Sequence, residues 1–245
     1  MLRLKIVEQS PAWIAVDKPP GFHAHPPEDK GIRLSRRWNA LAVLEKQLGE
    51  TLFPAHRLDR AASGILLYSR RRECNRALQE QFSIGSVNKI YYLLVRGEFR
   101  GEDRIDRPLR NEAGSEQAAA TSVSACFSFS LPIPHPAGGD RVFTLLVAQP
   151  LTGRFHQIRR HLAGLGFPLI GDSRHGDRKL NREFASLTGC SQLFLRCMEL
   201  EFDCPLEGKR VHAKGKWSGG WHKIFDLAGA CPLTTSPFPG PQTLS

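Results

Sequence analysis

Short runs of strand-forming residues, most of them closed by glycine or proline, recur along this 245-residue chain, and helical periodicity is confined to a few brief stretches between them. That pattern restricts the fold to turn-linked strands with helices packed beside them. Residues 2–7 and 12–16 read as two strands around Glu8-Gln9-Ser10-Pro11, and Lys18-Pro19-Pro20-Gly21 stiffens the exit from the second. From Leu34 the apolar residues Leu41, Leu44 and Leu48 recur at spacings of 3 and 4 and stop at Gly49, as in an amphipathic helix with a glycine C-terminal stop. Residues 64–69 make a short buried strand, 73–84 carry the helical spacing of Leu78 and Phe82, and 88–97 are rich in strand formers.

Residues 111–125 are small and polar and predict a surface loop or arm that runs into a strand near 127–131. A turn-rich stretch at 132–140 pairs that strand with 142–149 as a hairpin. Residues 150–153 break the second strand, after which Ile158, Leu162 and Leu165 share one helix face up to Gly166. Further strands follow at 193–202 and around Val211, and no internal repeat is present. From Ala228 the chain holds Pro232, Pro237, Pro239 and Pro241 without a single charge, which predicts a disordered tail at 228–245 behind one domain at 1–227. The predicted class is α+β, a mixed and mainly antiparallel sheet with flanking helices.

Lys and Arg number 34 against 24 Asp and Glu, a net +10, and a polyanion is the partner such a charge suits. Residues 55–76 and 154–182 hold six and seven basic residues against two acidic ones each, so they carry nearly all of that excess. No apolar run approaches 18 residues and the first five alternate, which predicts a soluble, unexported, cytoplasmic protein that is not membrane-bound. Six cysteines form no C-x-x-C pair, so they read as reduced structural thiols.

Two clusters lie inside the basic segments. In His56-Arg57-Leu58-Asp59-Arg60, two arginines flank a carboxylate just before a buried strand and favour its ionised form, although a bare R-x-D-R run also suits a surface ion pair. In the run Thr152 to His161, arginines and backbone N–H groups gather at a strand end and a helix start, a generic place for phosphate. His156 and His161 lie five residues apart on a helix and do not share a face, so no metal is predicted. On the strand 88–97, Tyr91 points to the face opposite Tyr92.

Together DKPPG (17–21), HRLDRAASG (56–64), NKIYYLLVRG (88–97), LTGRFHQIRRHLAGLGFPLIGDSRHGD (151–177) and FLRCMELEFDCP (194–205) resemble the RluA-type pseudouridine synthases, and within them the TruC branch that acts on tRNA. The resemblance implies that Asp59 is the catalytic aspartate, that Tyr91 is the active-site tyrosine, and that Arg159 pairs with the aspartate. It further implies that Arg57 helps to hold the flipped-nucleotide site and that Leu195 lines the base pocket. Arg60 and Arg154 join the substrate-binding set through phosphate. Ala62-Ser63-Gly64 stands where the family has Thr-Ser-Gly, and Leu195-Arg196-Cys197 where it has Leu-His-Ala, departures that bear on substrate fit. An N-terminal S4-type domain is not expected, because only 16 residues precede the first matching string.

The implied reaction breaks the C1′–N1 bond of a uridine and rejoins the base through C5, without cofactor or metal. A uracil cannot turn inside a stack, so the nucleotide must be extruded. Asp59 acts as nucleophile at C1′ or C6, or as base at C2′, and the sequence leaves these routes open. The basic segments supply salt-dependent affinity for RNA, tRNA first and a uridine like that at position 65 within it, with ribosomal RNA as the alternative and no obligate protein partner evident. A different class, an RNA-binding module without turnover, fits the same basic groove. A hydrolase or nuclease needs a second carboxylate, metal or histidine pair that the sequence does not supply.

Overall fold

A computed structural model describes residues 2–25, 38–231 and 238. Residues 34–37 of the predicted first helix, and the predicted tail beyond 231 save for 238, lie outside the described residues. In chain order the first half holds β1 (Lys5–Gln9), β2 (Trp13–Lys18), α1 (Ala40–Leu48), β3 (Phe53–Pro54), β4 (Ser63–Ser69), α2 (Arg72–Ile84), β5 (Asn88–Arg96) and β6 (Glu102–Asp106). The second half holds β7 (Leu109–Arg110), β8 (Glu116–Gln117), β9 (Ala120–Pro134), β10 (Asp140–Pro150), α3 (Gln157–Gly164), α4 (Arg178–Thr188), β11 (Leu195–Asp203), β12 (Arg210–Lys214) and α5 (Gly220–Ala228).

The chain forms two compact units, Met1–Lys89 with Arg196–Gly215, and Ile90–Leu195 with Lys216–Ser245. In the first, β2 lies between β1 and β4, β4 is also flanked by β11, and β12 follows β11. Only the β4–β11 pairing is parallel, so this unit is mixed and mainly antiparallel. All seven residues of β4 are buried, as expected of a strand with neighbours on both edges. Gly64 sits in it at φ 108°, and a Cβ there would collide with the backbone carbonyl of Cys197. Glycine is therefore required for the two strands to close just behind the Asp59 loop.

In the second unit β5, β10, β9 and β6 pair antiparallel in that order, with the small hairpin β7–β8 apart from them. Phe143, Phe184, Phe194 and Trp221 contact one another edge to face in series, with centroids 5.1–5.7 Å apart, and pin α4 and α5 to the sheet. Such contacts contribute roughly 0.5–1.5 kcal/mol each beyond their area. The α+β class with a mainly antiparallel sheet is thus observed in both units.

Three local expectations are corrected. Residues 120–125 belong to β9 and not to a surface arm, because residues 121–124 are paired on both edges, with β10 and β6, and Thr121, Val123 and Ser124 are buried. Only residues 111–119 remain as turn and hairpin. Helix α1 starts after the cap Asn39, whose side chain accepts from the Ala42 N–H, and stops at Gly49 as expected, but its most buried residues are Ala40, Val43 and Leu44, with Leu41 and Leu48 only half-buried. Helices α4 and α5 were not predicted. The first is mostly charged, yet Asp177 caps it and Leu180, Phe184 and Thr188 recur every fourth residue on its buried face.

Candidate active site

In the first unit the chain leaves β3, runs through the 56–62 loop and enters β4. Leu58 and Ala62 are buried, Arg57 and Arg60 are exposed, and Asp59 is half-buried between them. The Ala62 N–H donates to the Asp59 carbonyl at 3.1 Å, closing a tight turn. Burial holds His56 to about 3, so its neutral ring accepts from the Leu67 N–H and stacks on Phe82 at 4.4 Å. His56 is a pin for the loop and not an acid.

Beneath the turn lies Lys18, fully buried. Its Nζ donates to the carbonyls of Ala62 at 2.6 Å, Phe22 at 3.0 Å, Pro19 at 3.1 Å and Arg60 at 3.2 Å. Burial pulls this ammonium down to about 7, against the opposing pull of Asp59 and then Asp17. The DKPPG turn is clasped from the other side, since Gly21 N–H donates to the Arg60 carbonyl and Arg60 Nε donates to the Gly21 carbonyl. The backbone of Asp59 is therefore held by a cation on one side and a two-bond clasp on the other. Arg196, at one of the departures noted in the sequence, is buried and donates through Nη2 to the half-buried Asp17 at 2.8 Å.

In the second unit Tyr91 and Tyr92 lie inside β5, both buried; Tyr91 stands opposite Ala148 of β10, and Tyr92 meets Trp217 edge to face. Leu195 is buried at the start of β11. The Thr152–His161 run is built around two inward side chains. Gln157 accepts from Thr152 Oγ1 and the Arg154 N–H, and donates to the Ala120 carbonyl and Thr121 Oγ1. His161 bonds Thr121 Oγ1 and the Arg107 carbonyl, and burial lowers its pKa. Of the amides predicted to meet phosphate, that of Arg154 is thus bonded to Gln157, while the Arg154 Nε donates to the Ala118 carbonyl.

Arg159 is buried on α3 and donates from Nε and Nη2 to Asp172, at 2.7 and 2.8 Å. Burial by itself would raise the Asp172 carboxyl, but hydrogen bonds from Arg159 and the backbone N–H groups of His175 and Arg174 hold it down at about 2. His175 and His156 share a ring-nitrogen hydrogen bond of 2.9 Å, and His156, with φ 53°, is the only described non-glycine residue in the left-handed region. Its ring stacks on Phe155 at 3.8 Å, over which Arg174 also lies.

The structure thus gathers Arg57, Asp59 and Arg60 on one turn of the first unit, and carries Tyr91, Arg154, Arg159 and Leu195 in the second. Sequence reasoning did not single out Lys18, which bonds the Asp59 turn, or Asp172, which pairs with Arg159. The signal for Asp172 was a carboxylate between Gly171 and Gly176, in a loop where neither glycine has room for a Cβ. Among the described residues no group of three or more His, Cys, Asp or Glu is placed to hold a metal ion.

Comparison with known proteins extends this geometry. Over 92% of the chain and 90% of the relative's length, the sequence is 33% identical to tRNA pseudouridine synthase C of Salmonella typhimurium. It is 29% identical to the protein of that name from Pectobacterium carotovorum, of whose length it spans 62%. Human RNA Pseudouridylate Synthase Domain Containing 4 shares the fold, with a TM-score of 0.71 at 21% identity over 94% of this chain and 95% of that one. Residues 12–164, which include the Lys18–Asp59 turn, Tyr91 and Arg159, match the model of the RNA pseudouridylate synthase family, and the chain belongs to that family.

Proposed function

We propose that the chain converts a specific uridine of tRNA to pseudouridine, with Asp59 as the catalytic carboxylate. The observation that carries this reading is the Asp59 turn, an acidic side chain between two outward arginines on a backbone held by the buried Lys18. A carboxylate fixed in this way is suited to work on one sugar position and not to exchange partners on a surface. The tRNA assignment draws on the names of the relatives that span nearly the whole chain, and on the net charge of +10.

The C1′–N1 bond breaks and C1′ joins C5; N1 gains a proton and C5 loses one. Asp59 opens the sequence by adding to C1′ or C6, or by taking the C2′ proton. Tyr91 takes the C5 proton, and Arg159 orients the aspartate. Arg57 fills the space of the extruded nucleotide, Arg60 and Arg154 meet phosphate, and Leu195 lies against the base. The described residues contain no helix long and apolar enough to cross a membrane, in keeping with cytoplasmic work.

Purified chain, without a second protein, is expected to release tritium from C5-labelled uridine in tRNA, and Asp59→Asn to abolish release while tRNA affinity stays within about threefold. Unchanged release by Asp59→Asn would falsify the assignment. Release from ribosomal transcripts and not from tRNA would move the substrate, and tight tRNA binding without any release would make the chain a binding module.

A further inference from the structure

The Arg159–Asp172 pair is more enclosed than any other ion pair described in the chain, with side-chain exposures of 4% and 0%. Burying two charges is a poor way to gain stability, since apolar residues of like volume commonly do as well. The surrounding geometry points to orientation instead. Asp172 Oδ1 accepts from the N–H groups of Arg174 and His175 at 2.9 Å in addition to Arg159 Nη2, so the carboxylate has no rotational freedom. Its own backbone is fixed as well: Asn181 donates from Nδ2 to the Asp172 carbonyl and accepts from the Gly171 N–H. A Cβ at Gly171 would strike the Gln192 carbonyl, and one at Gly176 the Asp172 carbonyl, so the loop admits no other path.

The same loop grips α3 a second time. His175 bonds His156, the residue directly before the helix that carries Arg159. A long, flexible guanidinium side chain is thus fixed at its root by the helix and at its Nε–Nη2 edge by a carboxylate that cannot turn.

We propose that Asp172 is the positioning residue of Arg159, setting the plane of its guanidinium for the reaction. The inference rests on the reading of Arg159 as a catalytic residue. Asp172 lies beyond the residues 12–164 matched to the family, and it acts on the reaction through Arg159.

The test is single-turnover kinetics with excess enzyme on tRNA, alongside tRNA binding and thermal unfolding, for Asp172→Asn, Asp172→Glu, Arg159→Gln and the double variant Arg159→Gln/Asp172→Asn. Asp172→Asn is expected to slow the turnover step by about 100-fold, as a displacement of about 1 Å does, with tRNA affinity changed less than about threefold. In the Arg159→Gln background the same substitution is expected to change the rate by less than about threefold, because its target is gone. Folded Asp172→Asn protein with the wild-type rate, or losses that multiply in the double variant, overturn the proposal. Should Asp172→Asn fail to fold, Asp172→Glu keeps the charge and shifts the carboxylate by one methylene; a wild-type rate there overturns it equally. If Arg159→Gln is itself fully active, the catalytic reading of Arg159 and the inference fall together, whereas a slow Arg159→Gln beside fast Asp172 variants removes only the positioning role.

Discussion

Around Asp59 the backbone is held by a buried cation facing carbonyl dipoles, whereas Arg159 is held by a buried anion facing a guanidinium and two backbone N–H groups. The first arrangement holds a backbone turn and the second a side chain, and they respond to pH in opposite parts of the scale. Lys18 has its pKa pulled from 10.5 to about 7 by burial, which the charges of Asp59 and Asp17 only partly offset. Asp172, with full-charge hydrogen bonds from Arg159, stays ionised down to about 2. A charge matched by an opposite charge is kept across the working range, while a charge matched by dipoles sits near its titration point.

The contrast is open to attack at four places. The largest effect is expected at Gly64, where Ala must enter a φ of 108° and meet the Cys197 carbonyl. Gly64→Ala should lose about 4 kcal/mol or more of stability, read by denaturant unfolding, and a loss under about 1 kcal/mol would mean that β4 and β11 can part without disturbing the Asp59 turn.

Lys18 comes next. Its folded pKa lies below its unfolded one, so between about 7 and 10.5 the unfolded chain binds the extra proton and stability rises with pH. From pH 7 to pH 9 the wild type should therefore gain up to about 3 kcal/mol relative to Lys18→Met. Parallel stability curves for the two proteins would show that the four carbonyls hold the ammonium charged after all. Turnover by Lys18→Met should also drop about tenfold or more with tRNA affinity kept, since the turn loses its internal strut.

Asp172 responds at the acid end. Its folded pKa of about 2 is below the unfolded 3.8, so its contribution is complete above pH 4 and is lost as pH falls through 2. This amounts to about 2 kcal/mol, measurable as the part of the acid-unfolding slope that disappears in Asp172→Asn. The smallest change is expected for His156→Asn. Asparagine tolerates the left-handed φ of 53° but gives up the bond to the His175 ring, at about 0.5–1 kcal/mol. A loss above about 2 kcal/mol would make the histidine pair, and not Asp172, the main tie between loop and helix.

Much of the architecture was legible as pattern. The strand-forming runs at 12–16, 64–69, 88–97 and 142–149 became β2, β4, β5 and β10, because branched and aromatic residues at those positions are buried on a sheet. The edges of elements were not: β9 begins among alanines, serines and a threonine that look like loop until two neighbouring strands supply their partners. The Asp59 motif was legible as an acidic residue between arginines. Nothing local marked Lys18 as the support of that turn, since the carbonyls it reaches at Arg60 and Ala62 lie more than forty positions away along the chain.

Local order along the chain decided which segments alternate, where turns interrupt them, and which short strings carry charge beside a strand or helix end. Those properties depend on neighbours within a few residues, and the chain's membership of the RNA pseudouridylate synthase family follows from the strings themselves. Tertiary structure alone decided that Lys18 reaches the carbonyls of Arg60 and Ala62, that Arg196 finds Asp17, and that Asp172 clamps Arg159. Each of those contacts joins separate stretches of the chain, and a buried charge takes whichever partner the folded backbone brings within hydrogen-bond distance.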